Sequence, residues 1–136
     1  MANTTFSGPV RSENGFESIT KNGTTGAITT NASYGATITG GVQALSGAGA
    51  ADLTNLVTEL TTAAGAAAVT LADGTTAGQI KIITMVVDGG GTATVTPATF
   101  ANGTQIDFAD VNDTVMLLWA NTIGWVVVAN TGGAIT

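Results

Sequence analysis

Cysteine and histidine are both absent from this chain of 136 residues. Their absence excludes disulfides, thiol nucleophiles, the commonest zinc ligands and the side chain best suited to proton transfer at neutral pH. Serine and threonine are plentiful, but the sequence offers no evident base that could activate their hydroxyls. We therefore expect a protein that is not an enzyme and that holds no cofactor.

Charge is also scarce, because only 9% of the residues are charged, against about a quarter in an ordinary soluble domain. Nine acidic and three basic side chains give a net charge of −6. An acidic chain repels nucleic-acid phosphates and anionic membrane surfaces, so we expect neither as a partner. A surface made of neutral polar residues suits an assembly in which copies or partners cover many faces.

Long hydrophobic runs are missing as well. No apolar run approaches the roughly 20 residues that a membrane-spanning helix needs, and the start "MANTTFSG" lacks the basic and apolar regions of a signal peptide. We therefore expect synthesis in a cytoplasm.

The few charges that are present divide the chain into three zones. Residues 1–21 hold two basic and two acidic side chains, and residues 22–51 hold none and are rich in Gly, Thr and Ala. Residues 52–136 hold one lysine and seven acidic side chains. This division predicts an N-terminal arm, an uncharged extended tract and a globular body.

The body has the pattern of closely spaced strands with turns rich in Gly, Asn and Asp. The runs "GQIKIITMVVDGGG" and "DTVMLLWANTIGWVVVAN" are the clearest, and the second predicts a hairpin. Because the connections are short, we expect neighbouring strands to be antiparallel. The predicted fold is all-β: a small antiparallel β-sandwich or barrel-like domain with an extended N-terminal arm.

The segment "DLTNLVTELTTAAGAAA" fits two structures. Leu53, Leu56, Val57 and Leu60 have the spacing of one helical face, and Asp52 could cap such a helix. Its many threonines favour a strand. We favour the strand.

Three apolar runs, "IKIITMVV", "VMLLW" and "WVVV", would place apolar side chains on both faces of a sheet. A sheet with one buried face needs only half of them, so we expect the second face to be covered by neighbouring subunits. Large aromatic side chains within such runs are typical interface anchors. We therefore predict an oligomer interface that includes Trp119, Trp125 and Val127.

Several polar residues are candidates for functional sites. Asp107, Asp110 and Asp113 in "DFADVND" could supply oxygen ligands to calcium, but their spacing is not that of an EF-hand, and Asp and Asn are ordinary turn residues. We expect turns there and keep the three as a candidate metal site. Lys81 lies within a predicted strand without basic neighbours, which favours a solvent-facing or interface position. The run Asp88–Gly91 lacks the phosphate-loop pattern and predicts a turn.

Three stretches carry a family resemblance: "TTFSGPVRSENGFES", "VTLADGTTAGQIKIITMVVDGGGTATVTP" and "GTQIDFADVNDTVMLLWANTIGWVVVAN". They resemble small virion proteins of tailed bacteriophages, especially phages of marine bacteria, and most of all capsid decoration (cement) proteins. The resemblance implies a trimer or other small oligomer on the outer capsid surface, assembled in the host cytoplasm. Its implied partners are the major capsid protein, whose neighbouring subunits it would bridge, and further copies of itself.

In that setting the arm becomes the expected capsid-docking segment. It combines apolar anchors, a proline that fixes the backbone, a basic clamp for capsid carboxylates and two acidic side chains. These predicted capsid-binding residues are Phe6, Pro9, Val10, Arg11, Glu13, Phe16 and Glu17.

Two other functions stay open at this point. A phage fibre module that binds a receptor or carbohydrate would show exposed aromatic side chains in its loops. A glycan-processing enzyme would show a pair of carboxylates in a cleft.

Overall fold

A computed structural model describes residues 16–34 and 41–136, and it describes side chains for residues 22–27 and 41–136. The chain divides into two units between Ile38 and Thr39. In the described ranges we find no helix with the length and apolar character needed to cross a membrane.

The first unit contains an antiparallel hairpin of β1 (Phe16–Lys21) and β2 (Ile28–Tyr34). Asn22 organises its turn, because its Oδ1 accepts hydrogen bonds from the backbone N–H groups of Thr24 (2.9 Å) and Thr25 (3.0 Å). Short amides bond to nearby backbone in this way at many turns. The predicted arm and the predicted uncharged tract therefore pair with each other here.

The second unit contains ten strands in two five-stranded sheets. Sheet I consists of β3 (Val42–Ser46), β5 (Val57–Thr61), β7 (Ile80–Val87), β10 (Thr114–Ala120) and β11 (Gly124–Thr131), in the order β11-β10-β7-β5-β3. Sheet II consists of β4 (Gly49–Ala51), β6 (Ala67–Leu71), β8 (Ala93–Pro97), β9 (Ile106–Phe108) and β12 (Ala134–Ile135), in the order β12-β9-β8-β6-β4.

The all-β prediction is confirmed for the described residues, but the purely antiparallel arrangement is wrong. β3, β5 and β7 are parallel to one another in sheet I, and β4, β6 and β8 are parallel in sheet II. Only the strands added later in the chain pair antiparallel: β10 with β7, β11 with β10, β9 with β8, and β12 with β9. Both sheets are mixed and open, so the barrel-like alternative is also wrong.

The antiparallel prediction failed because a short connection need not join neighbours in one sheet. From β3 to β8 the chain alternates between the sheets, so each pair of strands makes one turn of a coil and the next turn stacks in parallel. Packed sheets lie about 10 Å apart, a gap that three or four extended residues can span. Glycines with left-handed φ values turn two of these corners, at Gly47 (72°) and Gly90 (93°), and Gly132 (82°) turns the later crossing from β11 to β12.

The inward-facing residues of both sheets form one hydrophobic core. Its members are Ala51, Leu60, Ala67, Val69, Leu71, Ile83, Met85, Ala93, Val95, Ile106, Phe108, Val115, Leu117, Trp119 and Trp125. In β6 and β10 buried residues alternate strictly with less buried ones, as expected when one face of each strand packs on the other sheet. The two mixed sheets therefore form a sandwich with the core between them.

The segment that begins at Asp52, whose sequence fitted either a helix or a strand, folds as a loop followed by strand β5. The strand interpretation is therefore confirmed. Asp52 still acts as a cap: its Oδ1 accepts the backbone N–H groups of Thr54 (2.9 Å) and Asn55 (2.7 Å). A helix N-cap makes the same bonds, which explains why the sequence resembled a helix start. The two strands just before this loop, β3 and β4, belong to the sheets although they lie in the tract predicted as extended.

Candidate functional site

The outward side of sheet I carries two rows of apolar side chains. In the first row Val42 pairs with Val57, Val57 with Ile82, and Ile82 with Met116. In the second row Ile80 pairs with Leu118, and Leu118 with Val126. Directly opposed residues project to the same side of a sheet. We call these seven residues (Val42, Val57, Ile80, Ile82, Met116, Leu118 and Val126) the apolar face.

The apolar face is open to solvent in the single chain. Val42 is 56% exposed and Ile80 is 38% exposed, and the other five members are half-buried. Scattered exposed apolar residues are ordinary, whereas a contiguous apolar patch on a strand face marks an interaction surface.

The outward side of sheet II is different in composition. Thr70 pairs with Thr96, and both side chains are exposed. Thr94 pairs with Ala68 on one side and with Asp107 on the other, and its hydroxyl donates a 2.6 Å hydrogen bond to the Asp107 carboxylate. One outer face of the sandwich is therefore small and polar, and the other is apolar.

The apolar face ends at a polar row on the same sheet. Glu59 pairs with Thr84, which pairs with Thr114, and the two threonine hydroxyls lie 2.7 Å apart in a hydrogen bond. Among the described strand residues of sheet I that point outward, Glu59 alone is ionisable. The apolar face itself is therefore uncharged and has a polar border.

Of the predicted interface residues, the structure places both tryptophans inside the chain's own core. Trp125 is fully buried and Trp119 is 8% exposed, with their rings packed edge to face at 5.4 Å between centroids. The Nε1 of Trp125 donates to the Ala72 carbonyl oxygen (2.9 Å), so its polar atom is also satisfied internally. Val127 is half-buried and packs against the same core. The Trp125 ring therefore has no surface left for a partner.

The residue that sequence reasoning missed in this hairpin is Val126. It lies between inward-facing Trp125 and core-contacting Val127, so it projects outward beside Leu118. The period-two alternation of a strand would have located it, had the tryptophans been assigned to the core first.

Lys81 corrects another expectation, because it is 1% exposed rather than solvent-facing. It lies on the inward side of β7, and its Nζ donates a 2.8 Å hydrogen bond to the Asn55 carbonyl oxygen. Burial lowers the pKa of Lys81 below its usual value of 10.5, and the negative charge of Asp52 offsets part of that effect.

A polar network is connected to this lysine through Asn55. Gln43 Oε1 accepts hydrogen bonds from the Thr58 hydroxyl (2.8 Å) and from the Asp52 backbone N–H (2.9 Å). Asp52 Oδ2 accepts a 2.7 Å bond from the Asn55 side-chain amide. Hydrogen bonds from the Asn55 backbone and then from its side chain hold the pKa of Asp52 below its usual value of 3.8. These bonds fix the loop that leads into β5.

Of the three aspartates considered as a calcium site, Asp113 accepts hydrogen bonds within a turn and Asp107 lies in strand β9. Asp113 Oδ2 accepts the backbone N–H groups of Ala109 (2.9 Å) and Asp110 (3.0 Å). Asp107 bonds with neighbouring side chains on the outer face of sheet II. Among the side chains described in residues 22–27 and 41–136, no group of three acidic residues is arranged to hold a metal ion.

The predicted arm residues lie mostly outside the described part of the chain. Those residues are Phe6, Pro9, Val10, Arg11 and Glu13. Phe16 and Glu17 begin strand β1, where the backbone register pairs them with Tyr34 and Ser33 of β2. Their capsid-binding role stays a prediction.

Comparison of the chain with models of known protein families and with curated proteins finds no match.

Proposed function

We propose that this protein is a non-enzymatic structural component of a bacteriophage virion that decorates and stabilises the capsid by bridging major capsid subunits. The observation that carries the proposal is the apolar face, with Ile82 at its centre between Val57 and Met116. A partner must cover such a face if it is to leave water, and burial contributes about 25 cal/mol for each Å² of apolar area. The protein therefore belongs to an assembly.

The burial of the aromatic side chains in the body supports an assembly role over sugar binding. A carbohydrate-binding surface commonly uses exposed aromatic rings. Here Trp125 and Phe108 are fully buried, Trp119 is 8% exposed and Phe100 is half-buried against the core. Among the described residues, these rings support the sandwich rather than a sugar-stacking surface.

The capsid as the partner is supported by the resemblance to decoration proteins and by charge. The net charge of −6 would repel the packaged nucleic acid, and this favours a position on the outer surface of the capsid. In the proposal, the N-terminal segment docks on the capsid through Phe6, Val10 and Arg11, and the body forms a small oligomer. Several arms on one oligomer bind with avidity even where each contact is weak.

Co-sedimentation of the full-length protein with undecorated phage capsids tests this proposal. The wild-type protein is expected to pellet with the capsids. The triple variant Phe6→Ser, Val10→Ser, Arg11→Ala should remain in the supernatant, because it removes two apolar anchors and the clamp. Thr4→Ser and Thr5→Ser together provide the matched control in the same segment and should pellet like the wild type.

Two outcomes would count against the proposal. Wild-type protein that stays in the supernatant with every capsid preparation contradicts capsid binding, and if it is retained instead on cell-surface glycans, the fibre module takes its place. Triple-variant protein that pellets as strongly as the wild type contradicts docking through the arm. The position of the gene, beside the major capsid gene or among tail-fibre genes, is an independent check.

A further inference from the structure

We infer that the apolar face of sheet I is covered by a second copy of this chain, packed sheet against sheet. The inference rests on the proposed structural role and names the partner of this one surface, leaving the N-terminal segment for the capsid. Three properties of the face favour a copy of the same chain over a different protein: its shape, its charge and its area.

The first property is shape. β-branched and long apolar side chains in register, such as Val57, Ile82 and Met116, form the kind of ridged surface on which another sheet packs at about 10 Å. A second copy brings the same five strands with the same spacing. Contact between two copies would therefore pack sheet I of one copy on sheet I of the other, in the same way as sheet I already packs on sheet II within each chain.

The second property is charge. Each copy carries a net charge of −6, so two copies repel each other unless they meet where charges are absent. The apolar face is uncharged, and the nearest outward acid on its sheet, Glu59, lies in the bordering row. The outward face of sheet II carries Asp107 and exposed threonines, and offers no comparable contact. A basic partner would instead favour an acidic surface.

The third property is area. Five strands spaced about 4.8 Å apart, with the β7 length of eight residues at about 3.3 Å each, give an outer face of roughly 24 by 26 Å. Burying most of it on each of two copies removes on the order of 1,000 Å² from water, the lower limit for a specific interface. The face is large enough for a contact between copies, and its apolar rows occupy the centre where binding energy concentrates.

Sedimentation velocity of the full-length protein tests the inference, with Ile82→Lys as the disrupting variant. Ile82 faces outward at the centre of the apolar face, so a lysine there would be buried without a partner in the contact. Thr70→Lys, which faces outward on sheet II, is the matched control with the same change in net charge. We expect wild type and Thr70→Lys at a multiple of the 13.3 kDa chain mass, and Ile82→Lys at 13.3 kDa.

A milder variant tests the same contact in case Ile82→Lys does not fold. Val57→Thr combined with Val126→Thr keeps β-branched side chains on both strands but adds hydroxyls to the contact. We expect it to raise the dissociation constant of the oligomer more than tenfold while the far-ultraviolet circular dichroism stays that of the wild type. An unchanged dissociation constant in this folded variant would overturn the inference.

Wild-type protein that is monomeric at about 100 µM, well above the micromolar affinities common for specific interfaces, would also overturn it. The capsid co-sedimentation assay tests the proposed function separately. Protein that self-associates through this face but does not bind capsids would support the inference and contradict the capsid role. Monomeric protein that pellets with capsids would support the capsid role and contradict the inference.

Discussion

Replacing Gly91 with alanine tests how closely the turns of the coil stack. Gly91 lies in the connection between β7 and β8, directly against the connection between β5 and β6. A Cβ added at Gly91 would overlap the carbonyl oxygen of Gly65 and lie 2.5 Å from that of Ala63. Neither obstacle is a flexible side chain, so the two backbone segments must move apart.

The required movement sets the size of the effect. Non-bonded heavy atoms sit about 3.5 Å apart, so the segments must separate by about 1 Å. The backbone bonds on either side of this contact, Thr62 N–H to the Val87 carbonyl (3.0 Å) and Ala67 N–H to the Thr92 carbonyl (2.9 Å), resist that separation. Overpacking of this kind costs about 1–3 kcal/mol. In a domain of about 100 residues that lowers Tm by about 4–20 °C.

Thermal unfolding followed by circular dichroism, at one protein concentration for all samples, measures this difference. The matched control is Gly65→Ala in the facing connection, where an added Cβ meets nothing within 4 Å and φ is not left-handed. Its free energy of unfolding should change by less than about 0.5 kcal/mol or rise slightly. If Gly91→Ala and Gly65→Ala unfold at the same temperature, the close stacking of these two connections is refuted.

Three further predictions concern the core and its polar end. Trp125→Phe leaves a void and removes the donor to the Ala72 carbonyl oxygen, so we expect urea denaturation to show a free energy of unfolding lower by about 1–3 kcal/mol. The control Val111→Ala, at an exposed loop position, should change the free energy of unfolding by less than about 0.5 kcal/mol. Equal losses in the two variants would contradict the core position of the Trp125 ring. The lowered pKa of Lys81 means that the unfolded chain binds more protons between the folded-state pKa and 10.5, so stability should rise with pH through that window. Lys81→Met should lack this rise, and identical pH profiles would refute the burial of the amine. Asp113→Ala removes the acceptor of two backbone N–H groups and should lower the free energy of unfolding by about 1–3 kcal/mol. Millimolar calcium should leave the wild-type Tm unchanged. An increase in Tm with calcium that Asp113→Ala lacks would instead support a metal site there.

The strands of the body could be predicted from the sequence because each run carries local signals. The run from Ile80 to Val87 is dense in β-branched residues and ends at the Asp88–Gly91 turn, and the last hairpin turns where expected. Local propensity and turn chemistry also settle the segment after Asp52 as a strand. These features depend on residues close together in the chain, which is why the pattern was sufficient.

The assignment of strands to sheets could not be predicted in the same way. The connection from β7 to β8 is as short as a hairpin loop, yet it crosses the sandwich, and its length is compatible with both paths. Lys81 shows the same limit for a single residue. Its place in the strand alternation puts it inward, but only the distant Asn55 carbonyl explains how an amine is accommodated there.

The difference between the two outer faces bears directly on function. Folding of the sandwich needs apolar residues on the inward sides of the strands, and sheet II shows that Ala, Thr and Asp are sufficient on the outward side. Sheet I, in the same chain and around the same core, carries Val57, Ile82 and Leu118 outward. Left uncovered, such a face promotes aggregation. The fold does not require these residues, so their presence together is best explained by a partner surface that buries them.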